Sequence, residues 1–133
     1  RITRALEVYQ SSGKSIIDWQ AEKGEAMIPD NMSVKKFLVM PPRADIHKRI
    51  NMRFDKMVEE GALDEVKVLL QKCLSPSLPV MKAIGVPQLA AHLAGELSLE
   101  EAIERAKAAT RQYAKRQSTW FNNSFDEQWG ILD

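Results

Sequence analysis

Residues 98–122, SLEEAIERAKAATRQYAKRQSTWFN, decide the architecture. The stretch opens with a capping box: Ser98 can accept from an early backbone amide while Glu101 reaches back to the cap. Ile103, Ala106, Thr110, Tyr113, Gln117 and Trp120 then recur along one helical face to about Asn122. A helix of this length, with polar residues around the rest of its circumference, predicts a predominantly α fold.

Working outward, residues 88–94 read as a short helix ending at Gly95, after a turn at Gly85-Val86-Pro87. Residues 64–73 carry Val66, Leu69 and Leu70 at helical spacing, and the proline-rich SPSLPV that follows breaks the helix. Residues 43–61 form an amphipathic helix with Ile46, Ile50, Phe54, Met57 and Val58 as its stripe and Gly61 as its stop. Nearer the start, helices are expected over 2–12, closed by Gly13, and over 15–22. Only two segments read as strands: residues 34–40, rich in β-branched and aromatic residues and closed by Pro41-Pro42, and the final FDEQWGILD. They fit edge strands of a sheet whose rest lies elsewhere. Residues 1–30 are expected to form one helical segment and 31–133 a second, mostly helical part.

Composition narrows the class. With 44% hydrophobic and 28% charged residues among 133, the chain suits one compact core, and no apolar run approaches the roughly 18 residues that span a bilayer. A single cysteine, Cys73, leaves no internal disulfide and fits a reducing cytoplasm. A net charge of +1 means that any basic site must be local. The abrupt helical opening, without an initiator Met, is expected of a fragment.

Two local basic sites stand out. On the long helix Lys107, Arg111 and Lys115 recur every four residues, flanked by Arg105 and Arg116, a spacing that can follow a phosphate backbone. Gln112, Gln117, Ser118 and Thr119 add neutral donors; the alternative is a solvated basic face. Arg43, Arg49 and Arg53, with Lys48, lie around the helix after Pro42, and guanidinium groups suit bidentate grip of phosphate oxygens. Here the alternative is ordinary ion pairing with Asp45, Asp55 or Glu59. Ser12-Gly13-Lys14-Ser15 matches the end of a phosphate loop, but Val8 stands where a glycine is needed and a helix precedes it, so helix capping is the better account. His47 and His92 lack partners at metal-ligand spacing, and Trp19, Trp120 and Trp129 are expected in the core.

Taken together, several of these segments resemble the tRNA dimethylallyltransferase (tRNA isopentenyltransferase) family. The resemblance runs through Arg1-Ile2-Thr3-Arg4-Ala5-Leu6-Glu7-Val8 with Ser12-Gly13-Lys14, then Phe37-Leu38-Val39 with Pro42-Arg43, Arg49-Ile50 and Arg53-Phe54, then Gly61 and Glu65-Val66. It continues in Lys82-Ala83-Ile84-Gly85 with Gln88, and its most distinctive part is Thr110-Arg111-Gln112-Tyr113-Ala114-Lys115-Arg116-Gln117-Ser118-Thr119-Trp120-Phe121. Val86-Pro87 departs from an aromatic-basic pair common in the family, so polar RNA contacts are not expected at those two positions.

The resemblance implies the carboxy-terminal part of a P-loop-like α/β transferase with a helical insertion. That enzyme moves a dimethylallyl group from dimethylallyl diphosphate to the exocyclic amine of the adenosine 3′-adjacent to the anticodon. Residues 1–30 would adjoin the tRNA-binding insertion, and 31–133 would pack on an amino-terminal domain that carries the phosphate loop, the general base and most ligands of Mg²⁺. By the same resemblance Arg49 and Arg53 contact the diphosphate. Arg1, Arg4, Lys82, Ala83, Ile84, Gly85, Arg111, Lys115, Arg116, Gln117, Thr119 and Trp120 contact the tRNA anticodon stem-loop. No catalytic residue and no metal ligand is expected in this stretch. A stand-alone, non-catalytic RNA-binding helical module is the alternative from another class.

Overall fold

The structure is a computed structural model that describes residues 2–22, 28 and 32–132. It divides into two compact units, residues 1–34 and 35–133.

In the first unit α1 (Ile2–Ser12) stops at Gly13, whose φ of 68° is the left-handed value a glycine adopts without strain. Ser15 then caps α2 (Ile16–Ala21) by accepting from the Asp18 amide at 3.1 Å. The capping reading of this segment therefore holds. Trp19 Nε1 donates to Ser12 Oγ at 3.0 Å, and Lys14 pairs with Glu22 while its Nζ lies 4.8 Å from the Trp19 ring centre. Neither helix buries a residue: the apolar face of Ile2, Leu6 and Tyr9 is 80%, 56% and 58% exposed. Two helices this short enclose too little volume for a core.

The second unit begins and ends on a strand. β1 (Lys36–Val39) and β2 (Trp129–Leu132) pair in parallel, with Lys36 opposite Trp129 and Val39 opposite Leu132. Parallel strands need a long crossover, and here it comprises α3 (Arg43–Glu59), α4 (Ala62–Gln71), a 3-10 turn at Pro79–Lys82, α5 (Val86–Leu93) and α6 (Leu99–Ser124). Gly61, at φ 107°, ends α3 and begins α4 in one residue. The capping box forms as expected, Ser98 Oγ accepting from the Glu101 amide at 3.1 Å and Glu101 Oε2 from the Ser98 amide at 3.0 Å.

Helix α6 packs on both α3 and α5. Ala102 and Ala106, with no exposed surface, let its neighbours approach closely, and the core gathers Val66 and Leu89 against Ala102. Phe54 of α3 is buried beneath Gly85, whose φ of 106° excludes most side chains and where an added Cβ would sit 3.4 Å from the Phe54 ring. The mostly helical architecture with two strands is as the sequence predicts. The tryptophans differ from expectation: Trp19 is 48% and Trp120 57% exposed. Trp120 instead belongs to an aromatic chain, its ring 5.2 Å from Phe125, which in turn meets Trp129 edge-on at 4.6 Å.

Candidate anion and nucleic-acid interface

The interface is built where α3 and α6 lie against each other. Two rungs join them: Arg111 Nη1 donates to Asn51 Oδ1 at 2.7 Å, and Lys107 Nζ bonds Asp55 Oδ1 at 2.7 Å. Residue numbers rise along one helix as they fall along the other, so the two run antiparallel here. Lys107 also reaches Glu104 at 3.1 Å and is buried, with 8% of its surface exposed. The Asp55 hydrogen bond, opposed by desolvation and helped by Glu104, holds the Lys107 ammonium above the ordinary lysine value.

This corrects the basic stripe expected on α6. Lys107 is buried in a salt bridge and does not line a phosphate track. Arg111 is half-buried and hydrogen-bonded to α3. Only Lys115 of the three stands exposed. Spacing alone could not separate these cases, because residues four apart mark a shared face whether that face meets solvent or another helix. A signal was nonetheless present: Asn51 and Asp55 on α3 are themselves four apart and complement Lys107 and Arg111.

Above the rungs a cavity of about 420 Å³ opens between the helices, lined by Pro41, Ile46, Arg49, Ile50 and Arg53 from one side and Thr110, Tyr113, Ala114 and Gln117 from the other. Both arginines are exposed, and among the described residues no carboxylate lies within ion-pairing distance of either. Asp55, one candidate partner, is occupied by Lys107. Like charges one helical turn apart repel by a few tenths of a kcal/mol, a cost that a bound anion converts into attraction. The walls are mostly apolar, with Thr110, Tyr113 and Gln117 as neutral polar groups, and the only charges are positive, so the cavity suits an anion with an apolar portion.

A second surface lies farther along α6. Gln112, Lys115, Arg116, Thr119 and Trp120 line a shallow hollow of about 480 Å³, with the Arg116 guanidinium 5.7 Å from the Tyr113 ring. Of the remaining residues implied by resemblance, Gln117 is in the arginine cavity. Lys82 ends the 3-10 turn and Ala83, Ile84 and Gly85 follow it, and Ala83 lines a third cavity that shares no residue with the other two. Arg4, in the first unit, lies 3.4 Å from Glu7. Arg1 lies outside the described residues. Residue-type reasoning missed Tyr113 and Thr110 as cavity walls, since their helical spacing reads equally as core.

Antiparallel helices thus set two guanidiniums, without an ion-pair partner among the described residues, over a mostly apolar cavity, beside a second surface of cations and an exposed tryptophan. The chain belongs to the IPP transferase family, whose model matches residues 1–124. It is 54% identical over 132 residues to the tRNA dimethylallyltransferase of Mesorhizobium japonicum and 51% identical to that of Bartonella henselae, in each case over 99% of this chain. It spans 41% and 45% of the lengths of those two relatives. Among solved structures, the tRNA delta(2)-isopentenylpyrophosphate transferase of Staphylococcus epidermidis superposes with a TM-score of 0.66 at 30% identity, covering 98% of this chain and 42% of that one. The full-length tRNA isopentenylpyrophosphate transferase of Bacillus halodurans gives a TM-score of 0.66 at 37% identity, covering 74% of this chain and 32% of that one.

Proposed function

We propose that this chain is the carboxy-terminal part of a transferase that moves a dimethylallyl group from its diphosphate to the exocyclic amine of the adenosine 3′-adjacent to the tRNA anticodon. The observation that carries the reading is the pair Arg49 and Arg53, unpaired among the described residues and set over an apolar cavity of about 420 Å³. In the reaction the amine forms a C–N bond to the allylic carbon as the C–O bond to the diphosphate breaks. The diphosphate leaves with the electron pair, and the amine proton passes to a base outside this chain. Negative charge gathers on the leaving group in the transition state, and guanidiniums already in place stabilise it more there than in the bound substrate.

The tRNA is held by its phosphates while the target base is swung out of the stacked loop. Lys115 and Arg116 supply such positioning, and Trp120 offers a face for stacking. The exposed parallel strand pair supports an α/β partner domain, because parallel sheets ordinarily lie covered on both faces, whereas Val39 and Ile131 are 68% and 65% exposed. Among the described residues no group of three or more His, Cys, Asp or Glu side chains is placed to hold an ion. By the resemblance, most ligands of the Mg²⁺ that would neutralise the diphosphate lie in an amino-terminal domain. Likewise, among the described residues no helix is long and apolar enough to cross a membrane. Membership of the IPP transferase family favours this reading over a stand-alone RNA-binding module.

The test is transfer by the intact protein from radiolabelled dimethylallyl diphosphate to unmodified tRNA, compared with Arg53→Ala under single-turnover conditions. The rate of chemistry is expected to fall more than tRNA affinity does. Equal losses in both would contradict a leaving-group role.

A further inference from the structure

Beyond the arginine cavity, the α3–α6 groove continues into a smaller cavity of about 280 Å³. Its polar lining comes from Arg43 and His47 in the first turns of α3 and from Lys115, Ser118, Thr119 and Asn122 in α6. Ile46 and Ala114 line both cavities, so they are adjoining chambers of one groove. We propose that this second chamber is a phosphodiester site, holding one backbone phosphate of the RNA next to the diphosphate chamber. The proposal rests on the transferase reading and assigns to that interface three residues, Arg43, His47 and Asn122, that the resemblance leaves without a role.

Three observations carry it. First, every charged side chain in the lining is basic, and no carboxylate is among them. Second, the cations converge from two helices. Arg43 Nε makes a long hydrogen bond of 3.4 Å to His47 Nε2, which leaves both Nη groups without a protein partner among the described residues. That free fork matches two oxygens of one phosphate. Third, the hydroxyls do not compete for the role. Ser118 Oγ donates to the Ala114 carbonyl at 3.1 Å and Thr119 Oγ1 to the Lys115 carbonyl at 3.0 Å, so both turn their protons toward the helix. Recognition is then left to the cations, which read charge, and to the Asn122 amide, whose NH₂ can donate to a phosphate oxygen.

Placement explains why this anion is a diester. Lys115 lines both this chamber and the hollow with Arg116 and Trp120, so the chamber lies between the stacking surface and the arginine pair. A strand stacked on Trp120 with a base directed to the arginine pair would have to pass that middle position.

The test uses Arg43→Gln in the intact protein with two probes: an unmodified anticodon stem-loop titrated over a salt series, and inorganic diphosphate. Arg43 is exposed, and an unchanged melting temperature will show that the variant folds. Stem-loop affinity is expected to fall about tenfold at moderate salt, with the slope of log affinity against log salt reduced by about one. Diphosphate affinity should change less than twofold, and Arg43→Lys should restore most of the slope. Weakened diphosphate binding with unchanged RNA binding would assign the chamber to the prenyl donor and overturn the proposal. A wild-type slope in Arg43→Gln would overturn the chamber alone, whereas failure of the wild-type protein to bind the stem-loop would overturn the transferase reading with it.

Discussion

The α3–α6 groove and the groove beside α4 and α5 belong to one small unit, yet their rims carry opposite charge. The first presents Arg49 and Arg53 over apolar walls. The second is the larger, about 710 Å³, and is lined by Val66, Val68, Leu69, Val80 and Val86 beneath Glu60, Asp64 and Glu65, with Lys72 as its one cation. Volume alone would nominate the second as the site. Charge reverses the choice, because carboxylates around an apolar hollow repel a diphosphate or an RNA strand while unpaired guanidiniums draw them in.

The sharpest way to break the contrast is to discharge the first groove. Arg49→Ala with Arg53→Ala in the intact protein should slow dimethylallyl transfer at least about a hundredfold, the scale of removing a preplaced charge from a developing anion. Rapid-quench measurement under saturating tRNA checks it, and a loss below about fivefold would move the diphosphate elsewhere.

Next in size is the stitch under that groove. Lys107→Ala leaves Asp55 without its partner and should cost about 1–2 kcal/mol of stability, less than the ~3–5 of a fully buried pair because Asp55 is itself half exposed. Urea denaturation measures it. The folded ammonium titrates above its unfolded value, so its contribution is complete below about pH 10 and disappears as pH rises through the raised folded value. The stability difference between wild type and Lys107→Ala should therefore narrow only in that alkaline range; narrowing near neutrality would mean that the stitch is not what holds α3 to α6.

Under the acidic groove, Gly85→Ala should cost about 1 kcal/mol, since φ of 106° strains any Cβ and the Phe54 ring must yield. A lowered melting temperature checks this, and no change would mean that the backbone and the Phe54 ring accommodate the added methyl without cost. The smallest effect separates the grooves directly: Asp64→Lys with Glu65→Lys should change stem-loop affinity less than twofold at physiological salt, and a strong gain or loss would place RNA on that face as well.

Much of this arrangement was legible beforehand, for reasons specific to each element. The capping box at Ser98 and the stripe through Ile46, Ile50 and Phe54 are local signals, and both helices formed where they pointed. Helix α5 begins at Val86, two residues earlier than expected, because Pro87 suits a first turn as well as the turn before one. The pairing of β1 with β2 was not legible, since residues far apart in sequence leave no local mark of their partnership. Nor was the fate of Lys107: a lysine among alanines reads as solvent-facing until a carboxylate from another helix is brought to it. The two arginines of the cavity were visible as a pair, but their freedom from acids depends on where Asp55 is spent, which only packing decides.

That distant strand pairing has a kinetic consequence. Lys36 and Trp129 are separated by roughly ninety residues, so closing the sheet costs more chain entropy than forming any of the helix contacts inside it. Turns such as Gly61 and Gly95 bring successive helices together over short stretches of chain, and contacts of that kind form early. The helices are thus expected to assemble before the strands meet, with β2 joining last and locking the aromatic chain at the end of α6. A growing polypeptide would then have its α3–α6 groove folded before β2 is in place.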